Sequence, residues 1–197
     1  MSAEVPKSNG SGQFLFTASP NSPLLSGFKI NADGSLTPVP GSPFVIGTSA
    51  RAIVGVHDAL LIADGAGIRV FSVDMETGAI RQTDSAKAAF ISDLVSDPQT
   101  NAAIAVSAAG ALALRVVDGR LQAQPAPTAQ APAGAQTSRQ AVLDATDHFM
   151  YVIDIGKTEL MAFRTQNGKP LPLSPQSYPL PKDTAFITLV GSPRIQR

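Results

Sequence analysis

The 197-residue chain contains no cysteine and no tryptophan. Without cysteine there are no disulfides, no thiolate metal sites and no cysteine nucleophile. Charge is scarce too: charged residues make up 15%, and 15 basic side chains balance 15 acidic ones. That neutrality argues against a surface built to grip nucleic acid or anionic membrane, both of which reward clustered positive charge. Long apolar runs are missing as well. The most apolar stretch, Ala102 to Val117, is 16 residues long and carries Arg115, whereas a membrane-spanning helix needs about 20 strongly apolar residues. Two short buried strands with a turn at Ala109-Gly110 account for it better. The first 12 residues are polar and have none of the apolar core that a secretory signal requires. They read as a disordered lead-in, so the chain as it stands is expected to be soluble and cytoplasmic. An envelope or secreted location follows only if the N-terminus is truncated.

Glutamate is the scarcest acidic residue, three against twelve aspartates, while Gly and Pro each number 16. Asp, Gly and Pro favour turns and disfavour helix interiors. No window of a dozen residues carries a helical apolar stripe free of Gly and Pro. Short apolar runs separated by turn signals recur instead, which points to an all-β chain.

These runs fall into register. Phe14–Ala18, Leu60–Asp64, Ala103–Ser107 and Met150–Asp154 form one equivalent set. Gly27–Ile30, Arg69–Val73, Leu114–Val117 and Met161–Thr165 form a second, each closed by a turn at Gly34, Gly78, Gly119 or Gly168. The turn glycines are 44, 41 and 49 residues apart. Asx-Gly between apolar runs is a strong hairpin signal, because the turn needs a positive φ that Gly adopts without steric cost. A third strand opens at Leu36, Ile80, Leu121 and Leu171. A leader strand precedes three of the triplets, at Ala52–Val56, Phe90–Val95 and Gln140–Leu143; the first triplet has none. An orphan leader, Thr184–Val190, ends the series. Four strands per unit with a period in the forties is the signature of a β-propeller. The expected fold is therefore a β-propeller of four-stranded antiparallel blades, about four of them, forming either a partial ring or one closed by the C-terminal leader. The expected organisation is a lead-in at 1–12, one propeller domain at 13–192 and a tail at 193–197. The Pro-, Ala- and Gln-rich segment 124–138 reads as an elongated loop between blades.

The stretch Gly27 to Phe44, GFKINADGSLTPVPGSPF, resembles a blade of the bacterial lactonase-type, YVTN-like propellers, typified by 6-phosphogluconolactonase. Met150–Asp154 and Asp74–Ile80 resemble that family's strand and turn, and the likeness extends over roughly 13–192. The third, Ala-rich blade is degenerate. The family's lactonase members close seven blades; this chain has four units. An incomplete ring would leave apolar faces and edges exposed and would favour association with a second copy.

The resemblance implies candidate site residues at the entry to the leader strands, where many lactonase-like members carry an Arg-His pair at one mouth of the central channel. Arg51 and Arg139 match its arginine, whereas Ala52 and Gln140 stand where the histidine would be. In the third blade the corresponding pair is Ser92-Asp93. Two arginines at one channel can hold a phosphate or carboxylate by forked hydrogen bonds, with Asp93 as a base or as their ion-pair partner. Satisfying loop carbonyls is the competing role for these arginines. Losing both histidines weakens the case for general acid–base lactone hydrolysis. His57 and His148, the only two histidines, fall in exposed turns. Asp64 and Asp154 end equivalent strands and are read as loop caps rather than cation ligands. No metal and no cofactor is expected. The expected partners are a small anionic ligand or a protein. The function expected is a binding or scaffold propeller without robust catalysis, with hydrolysis of an anionic sugar lactone such as 6-phosphogluconolactone as the alternative.

Overall fold

The chain's computed structural model describes residues 13–88, 91–97, 102–107, 110–123, 129–130, 139–144, 149–154, 157–166, 169–182 and 184. Every regular element among them is a strand. The first sheet comprises β1 (Gln13–Ala18), β2 (Leu24–Ile30), β3 (Leu36–Pro38) and β4 (Phe44–Val45), with β4 pairing the start of β2. The second runs in simple order through β5 (Ala52–Val56), β6 (Ala59–Ala63), β7 (Gly67–Val73) and β8 (Ile80–Lys87). The third contains β9 (Ile91–Asp97), β10 (Ala102–Ser107), β11 (Gly110–Val117), β12 (Arg120–Ala123) and β13 (Ala129–Gln130). The fourth contains β14 (Arg139–Asp144), β15 (Phe149–Asp154), β16 (Glu159–Gln166) and β17 (Lys169–Pro179). All pairings are antiparallel.

The turn glycines behave as the hairpin argument requires. Gly34, Gly78 and Gly119 have φ of 82°, 78° and 71°; Gly168 lies outside the described residues. Gly78 has a second constraint, since a Cβ there would come within 2.5 Å of Val39 Cγ1 and 2.7 Å of Phe14 Cδ1. The turn of the second sheet thus presses directly on the first. One feature departs from the expected loop at 124–138: β13, inside it, adds to the third sheet by pairing Gly110 and Ala111.

Strand alternation points successive side chains to opposite faces, and both faces of the middle sheets are used. Leu60, Ile62 and Phe71 of the second sheet join Leu25, Ile46 and Ala50 in one buried cluster. Leu61, Ala63 and Ile68 face the other way and meet Leu94, Ala103, Ala105 and Leu114 of the third sheet. Ile104 and Val106 then pack from the third sheet onto Met150, Val152, Met161 and Phe163 of the fourth. All five residues of β6 and all six of β10 are buried. The innermost strands β5, β9 and β14 lie side by side in that order. At the outer rim Asp84 Oδ2 accepts a hydrogen bond from the Leu121 amide at 2.8 Å, tying β8 to β12.

Among the described residues the first and fourth sheets share no substantial packing. Among the described residues the first sheet has no innermost leader, and β1 forms its edge. The C-terminal leader that would close a small ring lies, Thr184 apart, outside the described residues. No helix among the described residues is long and apolar enough to cross a membrane.

Leu61 is fully buried between two sheets. Leu61→Ala should lower the unfolding free energy by about 2–5 kcal/mol in a urea titration. A loss below 1 kcal/mol, on the same scale of buried-leucine truncations, would mean that the sheets do not pack through this strand.

Candidate functional site

The register places the three candidate residues at one end of three adjacent inner strands. Ala52 pairs with Ala63, Asp93 with Val106 and Gln140 with Ile153. These are equivalent rungs, so Arg51 and Arg139 each sit one residue nearer the start of their strands. Arg139 opens β14 opposite Asp154. Arg51 precedes β5, is exposed, and donates its backbone amide to the Ala63 carbonyl at 2.8 Å. The third strand breaks the pattern: its register shifts between Val106 and Ser107, so that Ser107 faces Ile91. Ser92 Oγ donates to the Val106 carbonyl at 3.0 Å beside this irregularity.

Asp93 lies on the strand between the two arginines, but its carboxylate serves the backbone. Oδ2 accepts from the Ala141 amide of β14 at 2.9 Å and Oδ1 from the Leu94 amide at 2.9 Å. It therefore links the innermost strands of the third and fourth sheets. Burial pushes its carboxyl above the ordinary aspartate value of 3.8, and the two amides only partly offset that.

Asp64 has the opposite balance. Its side chain is 3% exposed, and burial works against its charge. Arg69 and two amides outweigh that burial and hold it below the ordinary value. Oδ1 accepts from Ala66 N at 2.6 Å and Gly67 N at 2.8 Å, and Oδ2 from Arg69 Nε at 2.9 Å. Asp64 thus caps the loop after β6. Asp154, fully buried at the equivalent rung, accepts from Lys157 N at 3.3 Å. Arg69 lies within the largely apolar strand β7, and little in its local sequence announces the pairing with Asp64. The signal that could have exposed it is its spacing, five residues beyond an aspartate on the same sheet face.

His57, with φ of 53°, is exposed in the turn at the far end of β5 from Arg51. It borders an open cavity of about 360 Å³ between the first and second sheets, lined also by Phe14, Phe16, Leu60 and Met75. His148 lies outside the described residues. Among the described residues no three His, Asp or Glu side chains converge as a metal site.

No protein-family model matches the chain, and no curated protein matches it. Solved structures do. A protein from Lactobacillus plantarum aligns with a TM-score of 0.63 at 20% identity, over 85% of this chain and 54% of its own. A candidate 6-phosphogluconolactonase from Bacteroides fragilis aligns with a TM-score of 0.66 at 13% identity, over 90% and 57%. The periplasmic gluconolactonase of Pseudomonas aeruginosa aligns with a TM-score of 0.65 at 15% identity, over 88% and 56%. The chain is thus an all-β propeller structure whose four sheets are its blades, and it spans little more than half the length of these neighbours.

The two aspartates should respond to pH in opposite senses. Asp64, lowered on folding, contributes stability that is present above pH 3.8 and is lost as pH falls through its folded value. Asp93, raised on folding, contributes stability that is present below pH 3.8 and is lost as pH rises through its folded value. Urea unfolding across acidic pH should show Asp64→Asn flattening the acid-side loss and Asp93→Asn flattening the loss on raising pH. Identical pH profiles for the two variants would contradict these assignments.

Proposed function

We propose that this chain is a ligand-binding segment of a lactonase-like propeller, and that Arg51 and Arg139 at the channel mouth hold an anionic sugar acid or sugar lactone. The observation that carries this reading is the shared register of the two arginines at one end of β5 and β14, on either side of β9. Two arginines at one end of the inner strands, one on each side of β9, bring forked donors suited to a carboxylate or phosphate. A rigid inner strand under each supplies the positioning that such recognition needs.

Catalysis is a separate requirement. Lactone hydrolysis calls for a group that activates water and one that protonates the leaving alkoxide. Asp93, on the strand between the two arginines, is engaged by the amides of Ala141 and Leu94. Ala52 and Gln140 have no proton to exchange near neutral pH. Binding without robust turnover is therefore the reading that the side chains support. The alternative, hydrolysis of a lactone such as 6-phosphogluconolactone, draws on the structural neighbours, which include a gluconolactonase.

Isothermal titration with gluconate and 6-phosphogluconate tests the first reading. Each arginine lost should weaken binding by about tenfold, the consequence of losing one charge-assisted hydrogen-bonding group. Equal affinity in the Arg51→Ala, Arg139→Ala double variant would overturn it. Release of acid from gluconolactone should proceed at the spontaneous rate. Turnover well above that rate, abolished in the same double variant, would establish the hydrolase instead.

A further inference from the structure

A second anion site emerges on the flank of the second sheet, independent of the channel-mouth reading and built from other residues. Asp64, Gly67, Arg69, Ser85 and Lys87 line a cavity of about 130 Å³. Strand register explains their convergence, because Arg69 pairs with Ser85 and Gly67 with Lys87, which puts all four on one face of β7 and β8. A Cβ at Gly67 would collide with the Ala86 carbonyl oxygen, so only glycine lets the loop lie close enough to aim its amide at Asp64.

The charges do not cancel. Asp64 accepts from three donors, and it engages Arg69 through Nε. Among the described residues Asp64 is the one carboxylate paired with Arg69. Nη1 lies beside Gly47, where even an added Cβ would stand 4.0 Å away, so no side chain covers it from that position. Lys87 is exposed and has no ion pair among the described residues. One carboxylate against two cations leaves the cavity with an excess positive charge, and the Ser85 hydroxyl adds a neutral donor.

The blade repeat does not call for this chemistry. At the rung of Arg69 the other sheets carry Gly27, Leu112 and Met161, so the arginine is a departure that the fold itself does not require. The open cavity of about 130 Å³ has room for a phosphate group. We propose that Arg69, Lys87 and Ser85 bind a single phosphate group, free or as a phosphomonoester, with Asp64 fixing the arginine in place.

The test is a titration of the full chain with inorganic phosphate at constant ionic strength, followed by ¹H–¹⁵N NMR. Saturable shifts are expected at Gly67, Ser85, Lys87 and the Arg69 Nε–H. Lys87→Gln, which leaves the Asp64–Arg69 pair intact, should weaken binding by about tenfold while keeping the wild-type spectrum elsewhere. Lys87→Arg should restore it. Glycerol phosphate in a parallel titration identifies the source: tighter binding than phosphate marks a phosphomonoester site, and weaker binding a free-phosphate site. Shifts that follow chloride without saturating, or undiminished affinity in Lys87→Gln, would overturn the proposal. Shifts confined to Arg51 and Arg139 would overturn it while leaving the channel-mouth reading intact.

Discussion

The structure depends on one constraint: a strand shows alternate side chains to opposite faces, and in the middle sheets both faces are covered. In β6, Leu60 and Ile62 serve the cluster shared with the first sheet, while Leu61 and Ala63 serve the cluster shared with the third. A one-residue slip would exchange these sets and spoil both interfaces together. The same logic carries through β10, where Ala103 and Ala105 face back and Ile104 and Val106 face forward. Small residues on one face and branched ones on the other let neighbouring sheets approach closely and interdigitate. Packing of this kind also aligns the innermost strands, and any site at the channel mouth inherits its geometry from that alignment.

Polar groups supplement this packing at two places. Asp84 fastens the outer rim between the second and third sheets, and Asp93 fastens the inner strands of the third and fourth. Each carboxylate reaches an amide 37 or 48 residues away in sequence. Such bonds are directional where apolar packing is not, so they set the relative position of sheets that could otherwise slide.

Much of this was legible beforehand. The turn glycines and apolar runs located the strands, because hairpin turns and alternation are local properties. Ala52–Val56 is a strand with just those bounds, and Met150–Asp154 lies within β15. Arg51 and Arg139 were legible as equivalent positions because each stands one residue before the equivalent residues Ala52 and Gln140. The role of Asp93 was not, because its partner Ala141 belongs to the next sheet and nothing local announces the contact. Arg69 was hidden for a related reason. An arginine inside an apolar strand looks like an outward-facing residue until the register shows that it shares a face with Phe71. The pairing of Ala129 and Gln130 with β11 was equally silent, since it rests on a long return through a segment of loop-like composition.

Two kinds of residue therefore coexist on the blades. Those that recur from sheet to sheet build the propeller, and those that break the repeat, such as Arg69 and Asp93, make polar contacts particular to one blade. The central claim is that the four sheets form one cooperative stack through β6 and β10. Native-state hydrogen exchange tests it most directly. The stack requires the amides of Ala59–Ala63 and Ala102–Ser107 to exchange only through global unfolding, with a shared free energy, while the edge strands β1 and β3 exchange by local opening. Exchange of the β6 amides as fast as those of β3, or with a free energy unrelated to that of β10, would contradict it.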